Sequence, residues 1–151
     1  MAIRLGLGAK LYRNAAASGT PSWVLINNVR DLTLNLETGE ADVTTRGNNG
    51  WRATMATLKD ASLEFEMVWD TEDANFTVIR NAFLGNQSIR LAVLDDFMGD
   101  GQGIYARWMI TAFSRNEPLE EAITVSVTAK PTYSANPPLW VDSMNFDLID
   151  W

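Results

Sequence analysis

Carboxylates in close pairs are the first candidates for chemistry in this chain. Glu64 and Glu66 share one face of an alternating run, about 7 Å apart at the rise of a strand, and Asp95-Asp96 and Glu120-Glu121 are adjacent pairs. Two carboxyls can hydrolyse a glycoside when an apolar setting raises the pKa of one, but each of these pairs reads more simply as solvated surface. The acid loop Asp95-Asp96-Phe97-Met98-Gly99-Asp100-Gly101 puts Asp96, Asp100 and Gly101 at the first, fifth and sixth positions of a calcium loop. Its third position is Met98 and its twelfth, where a bidentate Glu is required, is Arg107. A Gly/Asp-rich hairpin loop is the better reading. Gly6-Leu7-Gly8 lacks the third glycine of a dinucleotide loop, because Leu11 stands there. With no Cys and no His, thiolate chemistry and the usual neutral-pH acid, base and metal ligand are missing. No catalytic, cofactor-binding or metal residue is assigned, and the expectation is a protein that is not an enzyme.

Six Trp raise a different possibility, a stacking platform for sugars or bases. Trp69 falls in phase with Phe65 and Met67, and Trp108 with Ile104, Ala106 and Ile110, so both read as core. Trp23, Trp51, Trp140 and Trp151 flank turns or occupy the tail and read as interface residues, since Trp is enriched at the centres of protein contacts. A carbohydrate-binding β-sandwich with exposed Trp is the competing reading, distinguished by loss of polysaccharide binding on Trp51→Ala.

The elements that position these residues follow from periodicity. Arg4 to Tyr12 alternates with Leu5, Leu7, Ala9 and Leu11 on one face, which predicts a first strand. Leu32, Leu34 and Leu36 oppose Asp31, Thr33, Asn35 and Glu37, and Leu63, Phe65, Met67 and Trp69 oppose Ser62, Glu64, Glu66 and Val68. Each run is a strand with one apolar and one polar face. A turn is expected at Thr38-Gly39-Glu40, a short strand over Asp42–Arg46 and a reversal at Gly47-Asn48-Asn49-Gly50. Asp70 to Leu84 changes to helical spacing, with Asp70 or Thr71 as N-cap, Glu72 and Asp73 in the first turn and Gly85 as the stop. Strands follow over Ser88–Leu94, Ile104–Phe113 and Ala122–Lys130, then an extended tail over 131–151. Several short strands around one helix predict a mainly β fold, a sandwich or small barrel with one flanking α-helix, in a single domain of residues 1–151.

Charge and length limit the partners. The 151 residues carry a net charge of −7, which disfavours generic binding to nucleic acid phosphates. No window approaches the roughly 18 apolar residues of a membrane span, and the start has no apolar core of signal-peptide length. Cytoplasmic synthesis, with no membrane partner, is expected. Residues 37–58 stand out because a long segment poor in large apolar side chains joins two strongly patterned strands. It predicts an extended loop whose cover comes from another copy of the chain.

The ordered set of segments resembles a known family. It comprises the Leu32–Glu37 strand, EADVTTRGNNGWR (Glu40–Arg52), TLKDASLEFEMVWD (Thr57–Asp70), the helix, GQGIYARWMITAFSRNEPLE (Gly101–Glu120) and TVSVTAKPT (Thr124–Thr132). Together these are similar to major tail tube proteins of long-tailed bacteriophages over roughly residues 29–132. The resemblance implies a β-sandwich whose copies close into six-membered rings that stack as a hollow tube for DNA ejection, a virion tail component assembled in the host cytoplasm. Tubes of type VI secretion and other contractile injection systems share that fold and are the near alternative. The implied partners are other copies of the chain and tape measure, tail terminator and baseplate proteins, with DNA passing through unbound and no cofactor. Under this reading Glu37, Glu40, Asp42, Arg46, Asn48, Asn49, Trp51 and Arg52 are candidates for contact between rings. Asp31, Thr33, Asn35, Glu37, Glu64 and Glu66 line either the lumen or ordinary outer surface. Trp23, Trp140 and Trp151 are candidates for further interfaces, and the tail lies outside the tube or bridges subunits.

Overall fold

The computed structural model describes residues 3–17 and 19–151. Met1, Ala2 and Ser18, the last within the expected loop after the first strand, lie outside them. The chain forms β1 (Lys10–Asn14), β2 (Trp23–Leu25), β3 (Val29–Asp42), β4 (Thr54–Val68), α1 (Ala74–Leu84), β5 (Ser88–Leu94), β6 (Gly103–Asn116), β7 (Thr124–Pro131) and β8 (Leu139–Val141). All neighbouring strands pair antiparallel, in the order β2-β1-β5-β6-β7-β4-β3, with β8 added on β6.

The long strand β6 belongs to two half-sheets. Its first half, Gly103–Met109, pairs with β5, and its second half, Trp108–Asn116, pairs with β7, with a bulge between Ile110 and Ala112. One core joins the two halves: Leu11, Leu91 and Val93 from the first pack in the same cluster as Leu63, Phe65, Val125 and Val127 from the second. Alternation explains it, because each half turns an apolar face toward the other and each covers part of its partner. This is the expected mainly β sandwich with a flanking helix. Gly103 is required where β6 crosses β5, since a Cβ there would lie 1.6 Å from the Val93 carbonyl oxygen.

Helix α1 closes the core with Phe76, Ile79 and Ala82. Its N-cap is Asp73, whose carboxylate accepts from the Asn75 and Phe76 amides, rather than the expected Asp70 or Thr71. Starting later keeps Phe76 on the buried side, edge-on to Trp69 with ring centroids 4.8 Å apart, while Asp70 caps its own turn by accepting from Glu72 N. Gly85 ends the helix as expected, and Asn86 takes the left-handed conformation (φ 52°).

The N-terminal expectation is corrected. Strand β1 begins only at Lys10, opposite Leu94, and Gly6–Gly8 form a 3-10 turn with Leu5 and Leu7 exposed. Strand β5 ends at Leu94, so earlier residues have no partner backbone to extend the ladder. The tail, expected to be extended, is so only in part. Strand β8 pairs with Gly103–Tyr105, and Val141 and Ile149 are buried with Tyr12, Ala92, Leu94 and Tyr105 in a second core. This core lies on the other face of the first half-sheet. The unbroken apolar run Leu91-Ala92-Val93-Leu94 already signals a strand buried on both faces, and the tail is what covers the second one.

Candidate assembly surfaces

Strands β3 and β4 make a hairpin much longer than the sheet that supports it. Strand β7 pairs with β4 only over Leu63–Val68, so Thr54–Asp60 overruns it by about 23 Å at the strand rise. Residues 37–58 are therefore not one extended loop. Pairing continues through Glu37↔Asp60 and Thr38↔Lys59 to Asp42↔Thr54, because β-branched and polar residues satisfy their backbone groups against each other without needing a core. The loop proper is 43–53, and the expected turn at Thr38-Gly39-Glu40 and strand at Asp42–Arg46 are absent from it.

The turn signal at Gly39 has another meaning. Pairing passes from Thr38↔Lys59 to Glu40↔Ala56, so Gly39 opposes both Thr57 and Leu58 in a β-bulge, and a Cβ on Gly39 would lie 2.3 Å from Thr57 Oγ1. A one-residue slip exchanges faces. Before the bulge, β4 turns Ala61, Leu63, Phe65 and Met67 to the core and Glu64 outward. Beyond it, Ala56 faces Glu40 on the core side and Met55 faces Ala41 on the carboxylate side. Met55 and Leu58 are 59% and 85% exposed, apolar side chains with no cover in the subunit.

At the tip, Arg46, Gly47 and Asn48 form a 3-10 turn, and Asn49 (φ 52°) and Gly50 (φ 83°) supply the positive-φ reversal expected of them. Asp42 accepts from the Thr44 amide at 2.9 Å, and its bonds to the Thr44 side chain and backbone hold its carboxyl below the ordinary range. Thr44 Oγ1 in turn accepts from Ala53 N at 2.9 Å. Trp51 is 78% exposed. Of the expected contact residues, Arg46, Asn48, Asn49, Trp51 and Arg52 thus share the tip. Glu40 and Asp42 lie on the paired stem, and Glu37 belongs to its outer face.

That outer face gathers the other predicted group. Thr33 pairs with Glu64 and Glu64 with Thr128; Glu66 pairs with Ser126. Asn35 Nδ2 donates to Ser62 Oγ at 3.4 Å. A second bulge sets Arg30 and Asp31 together against Glu66, with Arg30 Nη1 3.6 Å from Glu66 Oε1. Thr33, Asn35, Glu37, Glu64 and Glu66 therefore lie on one surface, with Asp31 at its bulged end. Sequence reasoning missed Asp60 and Lys130, which share a shallow depression with Glu37, Glu64 and Thr128, and Arg30, which pairs with Glu66. Lys130 alternates in phase with Ser126 and Thr128, a signal that was available.

The Trp residues divide by location. Trp23 and Trp151 flank Tyr105 inside the second core, with centroids 5.0 and 4.6 Å away. Asn14 Nδ2 donates to Tyr105 Oη and to the Trp151 carbonyl, and Tyr105 Oη also donates to that carbonyl. Burial pushes the Tyr105 phenol above its ordinary range, against the opposing effect of Asn14. Both Trp are thus engaged within the subunit, on the apolar face the tail covers. Trp140, on β8, is 49% exposed and donates from Nε1 to Gln102 Oε1 at 3.2 Å. The exposed Trp51 and Trp140 stand on separate elements. In the acid loop, Asp96 is bound by Arg4 and by the Phe97 amide, and Asp95 accepts from Gln102 N. Those carboxylates hold the loop's own conformation.

Known proteins share this architecture. A gene transfer agent particle virion contains a chain that superposes with a TM-score of 0.72 at 16% identity, covering 92% of this chain and 99% of that one. The SPP1 tail tube gives 0.68 at 16% identity, covering 95% and 83%. A chain of the anti-feeding prophage baseplate gives 0.54 at 7% identity, covering 90% and 92%. No curated protein matches in sequence. Residues 9–132 match the phage tail tube protein family, and since that stretch holds every strand but β8 together with the long hairpin, the chain belongs to that family.

Proposed function

We propose that the protein is the repeating subunit of a phage tail tube, in which six copies close into a ring, rings stack, and DNA passes through the bore. The half-sheet β6-β7-β4-β3 carries this reading. Its two edges, β3 and the second half of β6, have no strand partner among the described residues. Open edges of this length invite pairing with another chain. Because directions alternate across the four strands, β3 of one copy can join β6 of the next as another antiparallel pair. Closing the circle leaves no edge. The six-fold count draws support from a gene transfer agent tail of C6 symmetry that shares the fold.

In this ring the outer face with Glu37, Asp60, Glu64 and Glu66 lines the bore. Carboxylates repel a passing polyanion, and Arg30 and Lys130, set among them, offer phosphates little net attraction. The hairpin overhang bridges to the next ring, where Met55, Leu58 and Trp51 find cover. Tape measure, terminator and baseplate proteins are the further partners, and assembly takes place in the host cytoplasm. Electron microscopy of the purified protein tests the reading: rings or tubes are expected at high concentration or with assembly partners. A monodisperse monomer under all those conditions overturns it.

A further inference from the structure

The hairpin tip is a basic extremity of an acidic chain. Residues 43–53 carry Arg46 and Arg52 and no carboxylate, and among the described residues neither Arg makes an ion pair. Thr44, Thr45, Arg46, Gly50, Trp51 and Arg52 line an open cup of about 490 Å³. Such a cup has an apolar wall in Trp51 and a cationic rim. It suits a short apolar knob flanked by carboxylates.

A segment of that description stands at the opposite end of the same half-sheet. The β6–β7 turn leaves β6 at Asn116 and enters β7 at Thr124, opposite Val68 of β4, whereas the tip lies beyond Thr54 at the other end of β4. The turn reads Glu117-Pro118-Leu119-Glu120-Glu121. Leu119 is 99% exposed, with no contact that would explain a large apolar residue there. Glu117 is ion-paired with Arg115 at 2.5 Å, while Glu120 and Glu121 are exposed and make no ion pair among the described residues. Knob and cup sit beyond opposite ends of β4, so a subunit cannot fill its own cup. A second copy displaced along the strand direction can.

We propose that the Trp51 cup of one copy receives the Leu119 turn of a copy in the adjoining ring, with Arg46 and Arg52 facing Glu120 and Glu121. This rests on the tube reading and names its contact between rings. A cup at one end and a knob at the other make the contact head to tail, which propagates instead of closing on itself. Opposite charges at the two ends favour that polarity and place like charges together in a head-to-head stack.

The test is a charge exchange measured by the critical concentration for tube formation, with subunit folding followed by circular dichroism. Arg46→Glu with Arg52→Glu, and separately Glu120→Arg with Glu121→Arg, should each raise that concentration by about tenfold or more. All four changes together restore the pairing with its sign reversed, and assembly should return to within about threefold of the wild type. The proposal is overturned if either double variant polymerises like the wild type, or if both fail and the fourfold variant does not recover. Either result leaves the tube reading standing, provided the wild type forms tubes in the same experiment. A wild type that forms none removes both.

Discussion

The two halves of the β3–β4 hairpin share one antiparallel ladder and do different things. Near the body, Leu63, Phe65 and Met67 sink into a core shared with α1, β5, β6 and β7. At and beyond the Gly39 bulge the chain still pairs, but Leu58 is exposed and Met55 faces solvent on the side that carried carboxylates. The inner half is stabilised by burial of apolar area and the outer half mainly by its ladder, a structure marginal in water on its own. Backbone pairing alone can extend a strand past its core. What it cannot do is cover the apolar side chains placed there, so that task falls to another molecule.

Each half can be broken separately. The largest effect is expected from deleting Thr44–Ala53: the subunit should keep its thermal transition, because this loop contributes nothing to either core, and tubes should vanish in electron micrographs. Tubes of normal length would show that the termini, not the hairpin, join the rings. Next in size is the contrast between Leu63→Ala and Leu58→Ser. The first leaves a cavity at a fully buried site and should cost about 2–5 kcal/mol in denaturant unfolding, whereas the second should lie within about 0.5 kcal/mol of wild type and weaken only assembly. Equal losses of stability would mean that the outer half is packed within the subunit.

The outer face gives a subtler contrast between building the ring and using it. Glu64→Lys with Glu66→Lys should leave folding and ring formation intact, since both side chains point away from the core, while slowing DNA ejection by capturing phosphates. Normal ejection kinetics would remove these residues from the bore. The smallest effect concerns Tyr105 in the tail-covered core. Its phenol is held above its ordinary pKa near 10, so the folded state keeps it neutral while an unfolded chain ionises. The contribution is fully present below about pH 10 and is lost as pH rises through the folded value. Tyr105→Phe should flatten the alkaline part of a stability profile; an unchanged alkaline slope would show that another group sets it.

Much of the fold was legible because the two strong strands and the helix carry clean periods. Leu32-Leu34-Leu36 and Leu63-Phe65-Met67 could bury one face only as paired strands, and Phe76, Ile79 and Phe83 only as a helix. Asn49-Gly50 chemistry, legible in the sequence, fixes the reversal that gathers Arg46, Asn48, Asn49, Trp51 and Arg52 at the tip. The stem is not legible as strand because periodicity reports burial, and Glu40 to Asp42 pair without being buried. Leu5 and Leu7 erred the other way: they alternate like a strand, yet β5 ends before it can pair with them.

Taken alone, the amino-acid sequence determined the mainly β class, the single helix, the acidic balance, the absence of His and Cys chemistry and the two-faced strands, all properties of local pattern or composition. Only the tertiary structure decided which edges stay open, that a bulge at Gly39 turns Met55 to the carboxylate side, that Trp23 and Trp151 close on Tyr105, and that the basic cup and the Leu119 turn stand at opposite ends of one sheet. Those are matters of register and of strands distant in sequence. No local pattern encodes them, because each depends on which backbone finds its hydrogen-bond partner and which apolar face is left for a second molecule to cover.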